Sequence, residues 1–104
     1  MRVLLTGGRS MLGAAVARQL ADRGDQVTLL QRRPAGLGLP EVLADLADPA
    51  AGSAVRRAVD GQDAVLHLAA KVGISGSWPE FVATNVTGTA TIVAACRELG
   101  IPRL

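Results

Sequence analysis

A glycine-rich segment near the amino terminus has the residue types and spacing of a phosphate-binding turn. It reads Thr6-Gly7-Gly8-Arg9-Ser10-Met11-Leu12-Gly13 and lies between a short apolar run and a stretch with helical periodicity. Glycine lets a backbone turn tightly and approach a ligand closely, and a helix amino terminus offers unpaired N–H groups with a partial positive charge. The segment therefore predicts a cradle for a diphosphate. A turn that merely connects a strand to a helix is the alternative.

A second kind of phosphate loop is excluded by the residues that follow. Gly8 and Gly13 have the spacing of a P-loop, but Ala14-Ala15 stand where that motif needs Lys and Ser or Thr. Without the lysine and the magnesium-binding hydroxyl, hydrolysis of a nucleoside triphosphate has no support.

Short apolar runs and helical patterns alternate along the chain, which predicts βαβ units and a parallel α/β sheet with helices on both faces. In the first helix, Leu12, Val16 and Leu20 form the expected buried stripe. Strands are predicted over residues 2–6, 26–30, 41–44 and 63–68, and helices over 10–23, 48–59 and 77–99. The last helix is expected to bury Val82, Val86, Val93 and Cys96, and residues 101–104 lead into a fifth strand.

Composition bounds the class of protein. The 104 residues suit one domain, 49% of them are hydrophobic and only 2% aromatic, so the core must be aliphatic. A net charge of +2 is too small to indicate a basic surface that binds nucleic acid. The single cysteine, Cys96, excludes an internal disulfide framework and a cysteine-rich zinc site. With no signal peptide or membrane-spanning segment in the sequence, we expect a single cytoplasmic domain over residues 1–104.

Four motifs together resemble the extended branch of the short-chain dehydrogenase/reductase superfamily. They are the glycine-rich turn, Asp45-Leu46, His67-Leu68-Ala69-Ala70 and Asn85-Val86-x-Gly88-Thr89, in an order and spacing that covers essentially the whole chain. That branch includes nucleotide-sugar epimerases and dehydratases and 3-beta-hydroxysteroid-dehydrogenase-like reductases. The resemblance implies a Rossmann-like fold, here with about four strands in the order 3-2-1-4, that binds a dinucleotide.

The glycine turn departs from the family pattern at one position. The family's Gly-x-x-Gly-x-x-Gly reads Gly7, Ser10 and Gly13 here, so the Cβ of Ser10 crowds the diphosphate or its hydroxyl binds it. The resemblance implies that the turn contacts the cofactor through Gly7, Gly8, Arg9, Ser10, Met11, Leu12 and Gly13.

The residues after the second strand bear on which dinucleotide is bound. A fold that binds NAD usually places Asp or Glu there to accept from the ribose 2′-hydroxyl, whereas this chain has Gln31 followed by Arg32 and Arg33. Guanidinium groups suit a 2′-phosphate, so the sequence favours NADP over NAD, with Arg9 as a further contact. Solvated surface arginines are the alternative.

The remaining cofactor contacts come from the resemblance. It implies that Asp45 accepts from the adenine amino group, that Leu46 packs on the adenine face, and that Ala69 and Ala70 leave room for ribose and diphosphate. A loop-capping carboxylate is the alternative for Asp45. Lys71 is a further candidate contact with cofactor or substrate, with a solvated loop lysine as the alternative. We do not expect His67, which lies within an apolar strand, to be a catalytic base.

The catalytic residues of the superfamily are missing from this sequence. Its hydride-transfer enzymes use Tyr-x-x-x-Lys after the fifth strand, and this chain has no tyrosine. We therefore expect no catalytic residue and no metal site here, an unknown substrate, and a carboxyl-terminally truncated fold. An unpaired fourth strand predicts self-association through the sheet edge. A non-catalytic dinucleotide sensor and a degenerate fragment without ligand remain as alternatives.

Overall fold

Four parallel strands form one sheet in the order β3-β2-β1-β4, as predicted. The computed structural model describes residues 1–104. β1 occupies the centre, where Leu4 pairs with Thr28 of β2 and with Val65 of β4. The chain adds β2 and β3 on one side of β1 and then returns to add β4 on the other side, which makes a doubly wound α/β sheet. The carboxyl ends of all four strands lie at the same edge of this sheet. The strands are β1 Arg2–Thr6, β2 Gln26–Gln31, β3 Glu41–Leu43 and β4 Ala64–His67.

Side-chain caps begin the helices where the sequence predicts. Ser10 Oγ accepts from the Gly13 N–H at the start of the first helix, and Asp48 accepts from the Ala50 N–H ahead of the second. Ser77 Oγ accepts from the Glu80 N–H at 3.3 Å at the start of the third. The helices are α1 Met11–Asp22, a 3₁₀ turn Pro49–Ala51 that leads into α2 Gly52–Val59, then α3 Trp78–Phe81, a π-helical segment Val82–Thr87 and α4 Gly88–Glu98.

Two apolar layers hold the helices on opposite faces of the sheet, which confirms the predicted architecture and the aliphatic core. α1 packs through Ala17 against Leu5 and Leu29 on one face. On the other face, α2 and α4 pack against Leu4, Leu30 and Val65 through residues that are fully or almost fully buried. These are Val55, Ala58, Val59, Ile92, Ala95 and Cys96. Burial raises the pKa of the Cys96 thiol, in keeping with its role as a small apolar side chain.

The stripe predicted for α1 is wrong at Leu12, which is 63% exposed. The inward positions of this helix are Gly13 and Ala17, because α1 lies so close to the glycine turn that only a glycine fits there. Val16 and Leu20 are half-buried beside Ala17.

The stripe predicted for the last helix is wrong at Val86, which is 62% exposed. In the π-helical segment the Gly88 N–H bonds to the Ala83 carbonyl five residues back, so one extra residue enters the turn. The wider turn interrupts the regular helical period, and the buried positions after it are Gly88, Ile92, Ala95 and the predicted Cys96.

The segment after α4 lies along the outer edge of β4. The Val65 N–H donates to the Arg103 carbonyl at 3.0 Å, so residues 101–104 occupy the place predicted for the start of a fifth strand. A membrane-spanning helix, which would need both greater length and a more apolar sequence, is not found among the helices of this structure.

Candidate functional site

A groove of about 300 Å³ lies where the carboxyl ends of the four strands meet. This edge is where ligands bind in doubly wound α/β sheets. The groove brings together most of the residues predicted for the cofactor, namely Gly7, Arg9, Ser10, Arg32, Arg33, Asp45, Leu46, Ala69, Ala70 and Lys71. Four predicted residues of the glycine turn do not line it: Gly8, Met11, Leu12 and Gly13.

Groove residues absent from the sequence prediction come mostly from strand ends. Leu30, Gln31, Ala44 and Leu68 stand at or directly after the carboxyl ends of β2, β3 and β4, so the rule that ligands bind there could have found them. Thr84 belongs to the π-helical segment. No pattern in the sequence predicts that segment, so Thr84 could not have been assigned to the groove.

The glycine turn requires glycine for steric reasons at two positions. Gly7 has φ +81°, and a Cβ there would lie 2.8 Å from the Ala69 nitrogen. A Cβ on Gly13 would lie 2.0 Å from the Gly7 carbonyl oxygen, so α1 rests directly on the turn. The close approach of these three segments defines the floor of the groove.

Ser10 uses its hydroxyl within the turn. Its Oγ donates to the Gly7 carbonyl at 2.9 Å and accepts from the Gly13 N–H at 3.0 Å. The hydroxyl proton is therefore not directed at a ligand, and Ser10 acts as the cap that joins turn and helix.

Several amides of the turn and the first helical residues find no acceptor within the protein. Ser10 N–H bonds to the Gly7 carbonyl and Gly13 N–H to Ser10 Oγ, but the N–H groups of Arg9, Met11 and Leu12 make no such bond. They carry the partial positive charge of the amino terminus of α1. The arrangement can bind an anion through backbone N–H groups.

A partly buried hydrogen-bond network ties β1, β4 and α4 together beside the groove. Thr6 Oγ1 accepts from the N–H groups of Leu68 and Ala69, both at 3.0 Å. With both lone pairs occupied, its proton must go to His67 Nδ1, 2.7 Å away. His67 Nε2 consequently carries the ring proton and donates to Thr89 Oγ1 at 2.9 Å. The ring is neutral, and both of its nitrogens are engaged in hydrogen bonds within the protein.

This network predicts a loss of stability on mild acidification. Burial lowers the pKa of His67 below its ordinary value of 6.5, so the unfolded chain binds a proton at a higher pH than the folded chain. Stability is therefore fully present above pH 6.5 and falls as the pH drops through that value towards the lower folded pKa. Urea unfolding at a series of pH values measures this slope.

The matched control for these unfolding measurements is the variant His67→Gln, whose side chain at position 67 does not titrate near pH 6.5. We expect its free energy of unfolding to lose the dependence between about pH 7.5 and 5.5. An identical slope in both proteins would assign the effect to other groups.

Asp45 and Leu46 have structural contacts besides their place in the groove. Asp45 Oδ1 accepts from the Ala47 N–H at 2.9 Å, so the loop-capping alternative is realised through one of its two oxygens. Leu46 is buried against Gly88 of α4, where a Cβ would lie 3.0 Å from the Leu46 Cβ.

Lys71 is held in place by the long helix. Asn85 Oδ1 accepts from the Lys71 N–H at 2.7 Å and Asn85 Nδ2 donates to its carbonyl at 2.9 Å, which fixes the backbone. Its ammonium lies 3.6 Å from a Glu80 oxygen and 5.3 Å from the centre of the Phe81 ring. The Lys71 side chain, for which the sequence left open a solvated loop lysine or a cofactor contact, therefore contacts Glu80 and Phe81 in this structure.

The groove carries positive charge without a metal site. Arg9, Arg32 and Arg33 line it, are exposed and form no ion pair with the protein. No group of three or more His, Cys, Asp or Glu side chains could hold a metal ion.

The parallel sheet, the glycine turn and the groove at the strand ends define a Rossmann-like protein. The chain belongs to the NAD dependent epimerase/dehydratase family, whose model matches residues 3–104. The resemblance drawn from the motifs is thereby confirmed.

Among curated proteins, the chain is 44% identical over 108 residues to 2-alkyl-3-oxoalkanoate reductase of Stenotrophomonas maltophilia, covering 100% of this chain and 32% of the relative. Among solved structures, it matches a short-chain dehydrogenase/reductase superfamily protein from Agrobacterium tumefaciens with bound NAD, with a TM-score of 0.86 and 32% identity over 97% of this chain and 30% of the other. UDP-glucose 4-epimerase of Thermus thermophilus in complex with NAD gives a TM-score of 0.82 and 30% identity over 97% of this chain and 35% of the other. The chain thus spans about a third of the length of these relatives.

Proposed function

We propose that this chain binds a nicotinamide dinucleotide and forms the cofactor-binding portion of an epimerase/dehydratase-type or reductase-type oxidoreductase. The observation that carries the proposal is the set of free N–H groups at Arg9, Met11 and Leu12, at the amino terminus of a helix beside a groove. A diphosphate supplies the acceptors that these groups lack. The two structural neighbours described above were solved with NAD, which supports this ligand class.

The residues of the groove fit the other parts of such a ligand. Gly7 lines the groove without a side chain, and the small side chains of Ala69 and Ala70 leave room for a ribose. Leu46 offers an apolar surface and Asp45 an acceptor for an adenine. A bound nicotinamide supplies a hydride to a carbonyl carbon or takes one from an alcohol carbon.

Isothermal titration of the purified chain with NADPH and NADH tests the proposed binding. Saturable binding of either supports the proposal and excludes a degenerate fragment without ligand. Binding of neither overturns it.

We further propose that NADP is preferred over NAD. Arg32 and Arg33 follow β2, where an Asp or Glu that binds a ribose 2′-hydroxyl usually stands, and both line the groove with unpaired guanidinium groups. Forked, charge-assisted bonds from such groups suit a 2′-phosphate, and Arg9 lies on the same groove.

The substitution Arg32→Ala is expected to weaken NADPH binding about tenfold, because one charge-assisted contact to the phosphate is lost. NADH has no 2′-phosphate, so its dissociation constant should change less than about twofold. Calorimetric titration of both cofactors measures the difference. Arg57→Ala, which removes an exposed arginine of α2 away from the groove, is the control. Tighter binding of NADH than NADPH by the unaltered chain would refute the preference.

The second candidate function is a non-catalytic dinucleotide sensor or binding module. The free N–H groups of Arg9, Met11 and Leu12 beside the groove would serve such a module as well as they would serve an enzyme. Hydride transfer by this chain with any carbonyl substrate would argue against it. A cytoplasmic location and self-association through the outer edge of β4 stay predictions.

A further inference from the structure

Gln31, the last residue of β2, carries a polar atom without a partner beside the groove. The residue is 7% exposed, and its Nε2 donates to Glu41 Oε2 at 3.0 Å. Its Oε1 is buried and accepts no hydrogen bond from the protein. Buried polar atoms without a partner are rare in folded proteins, and Gln31 is one of the residues that line the groove, so the free oxygen indicates a ligand group that donates to it.

Glu41 determines which end of the Gln31 amide points away from β3. A carboxylate only accepts hydrogen bonds, so the NH₂ end must turn towards Glu41 and the oxygen away from it. The oxygen then lies against the glycine turn, where a Cβ on Gly8 would be 2.9 Å from it. Glu41 is itself held by the Ala35 N–H, 3.3 Å from Oε2 and 3.4 Å from Oε1.

We propose that Glu41 is a positioning residue that sets the discrimination between NADH and NADPH through the orientation of Gln31. The proposal rests on the proposed function, in which the neighbouring Arg32 and Arg33 bind the 2′ group. A ribose hydroxyl donates readily to an amide oxygen, whereas a phosphate dianion only accepts and meets another acceptor there. The fixed amide therefore limits the preference for NADPH that the two arginines create.

The substitution Glu41→Gln tests this orientation with little change of shape. The new amide can accept from Gln31 or donate to it, so both orientations of Gln31 become available, and an acceptor for the Ala35 N–H is kept. NADPH should then bind about fivefold more tightly, since Gln31 can turn its NH₂ end to the phosphate. NADH binding should change less than about twofold, because a hydroxyl accepts as well as donates.

Loss of the Glu41 charge alone would also favour NADPH, and a second background separates the two causes. Gln31→Met replaces the amide, with both its donor and its acceptor, by an apolar side chain of similar length. In that background Glu41→Gln retains only the charge effect, so we expect most of the fivefold gain to disappear. An equal gain in both backgrounds would overturn the role of Gln31 and leave a simple charge effect.

The titrations distinguish failure of this inference from failure of the proposed function. If the unaltered chain binds neither dinucleotide, the proposed function is wrong. If it binds them and Glu41→Gln leaves the ratio of the two dissociation constants unchanged, only the inference about Glu41 is wrong. Thermal unfolding of each variant establishes that it is folded, and a structural role alone would weaken both cofactors equally.

Discussion

Replacing Gly13 by alanine should destabilise the chain by about 3 kcal/mol or more and abolish dinucleotide binding. The added Cβ would lie 2.0 Å from the Gly7 carbonyl oxygen and 2.8 Å from its carbonyl carbon, which are backbone atoms that cannot rotate away. Either α1 must move off the sheet or the turn must open. Both movements displace the free N–H groups of Met11 and Leu12, so stability and binding are lost together.

Urea unfolding and calorimetric titration with NADPH measure the two effects of Gly13→Ala. Gly52→Ala is the matched control, because Gly52 is also helical, has nothing within 4 Å of an added Cβ, and lies far along the chain from the turn. Alanine there should leave the free energy of unfolding unchanged or raise it by up to about 1 kcal/mol. A Gly13→Ala protein as stable as the Gly52→Ala protein would contradict the close packing of α1 on the turn.

The sequence predicts the parallel strands and the groove because both depend on local chemistry, whereas the strand order came from the family resemblance. Apolar runs bounded by glycine mark the strands, and Ser10, Asp48 and Ser77 stand at helix starts with side chains that satisfy free N–H groups. Since parallel strands place their carboxyl ends at one edge, the residues that follow them could be assigned to one groove before any coordinates.

The predicted buried faces of two helices were wrong at one residue each, for reasons that the periodicity of apolar residues does not reveal. Leu12 is exposed because the contact of α1 with the turn is made by Gly13, and a count of apolar residues gives no weight to a glycine. Val86 lies in the π-helical segment, where the regular helical period used for the prediction does not hold. The pairing of Gln31 with Glu41 joins residues from two strands and depends on the register of β2 and β3.

The Thr6 network links stability and the groove, since the same hydroxyl holds the segment that supplies Ala69. Leu68 and Ala69 follow β4, and their N–H groups are fixed only through the side chain of the neighbouring strand. The bond from the Ala69 N–H to Thr6 Oγ1 helps to hold Ala69 against Gly7, where the floor of the groove is formed. The groove is therefore supported by Thr6, a buried side chain that does not line it.

Replacing Thr6 by valine should consequently cost about 3–5 kcal/mol of stability, an amount comparable to the whole stability of a marginal domain. The change keeps the shape of a side chain that is 0% exposed but leaves two N–H groups and His67 Nδ1 without a partner. Thr6→Ser keeps the hydroxyl and loses only a methyl group, so its cost should be about 1 kcal/mol. Urea unfolding of both variants beside the unaltered chain decides the matter: equal losses would mean that the methyl contact, not the hydroxyl, holds β1 and β4 together.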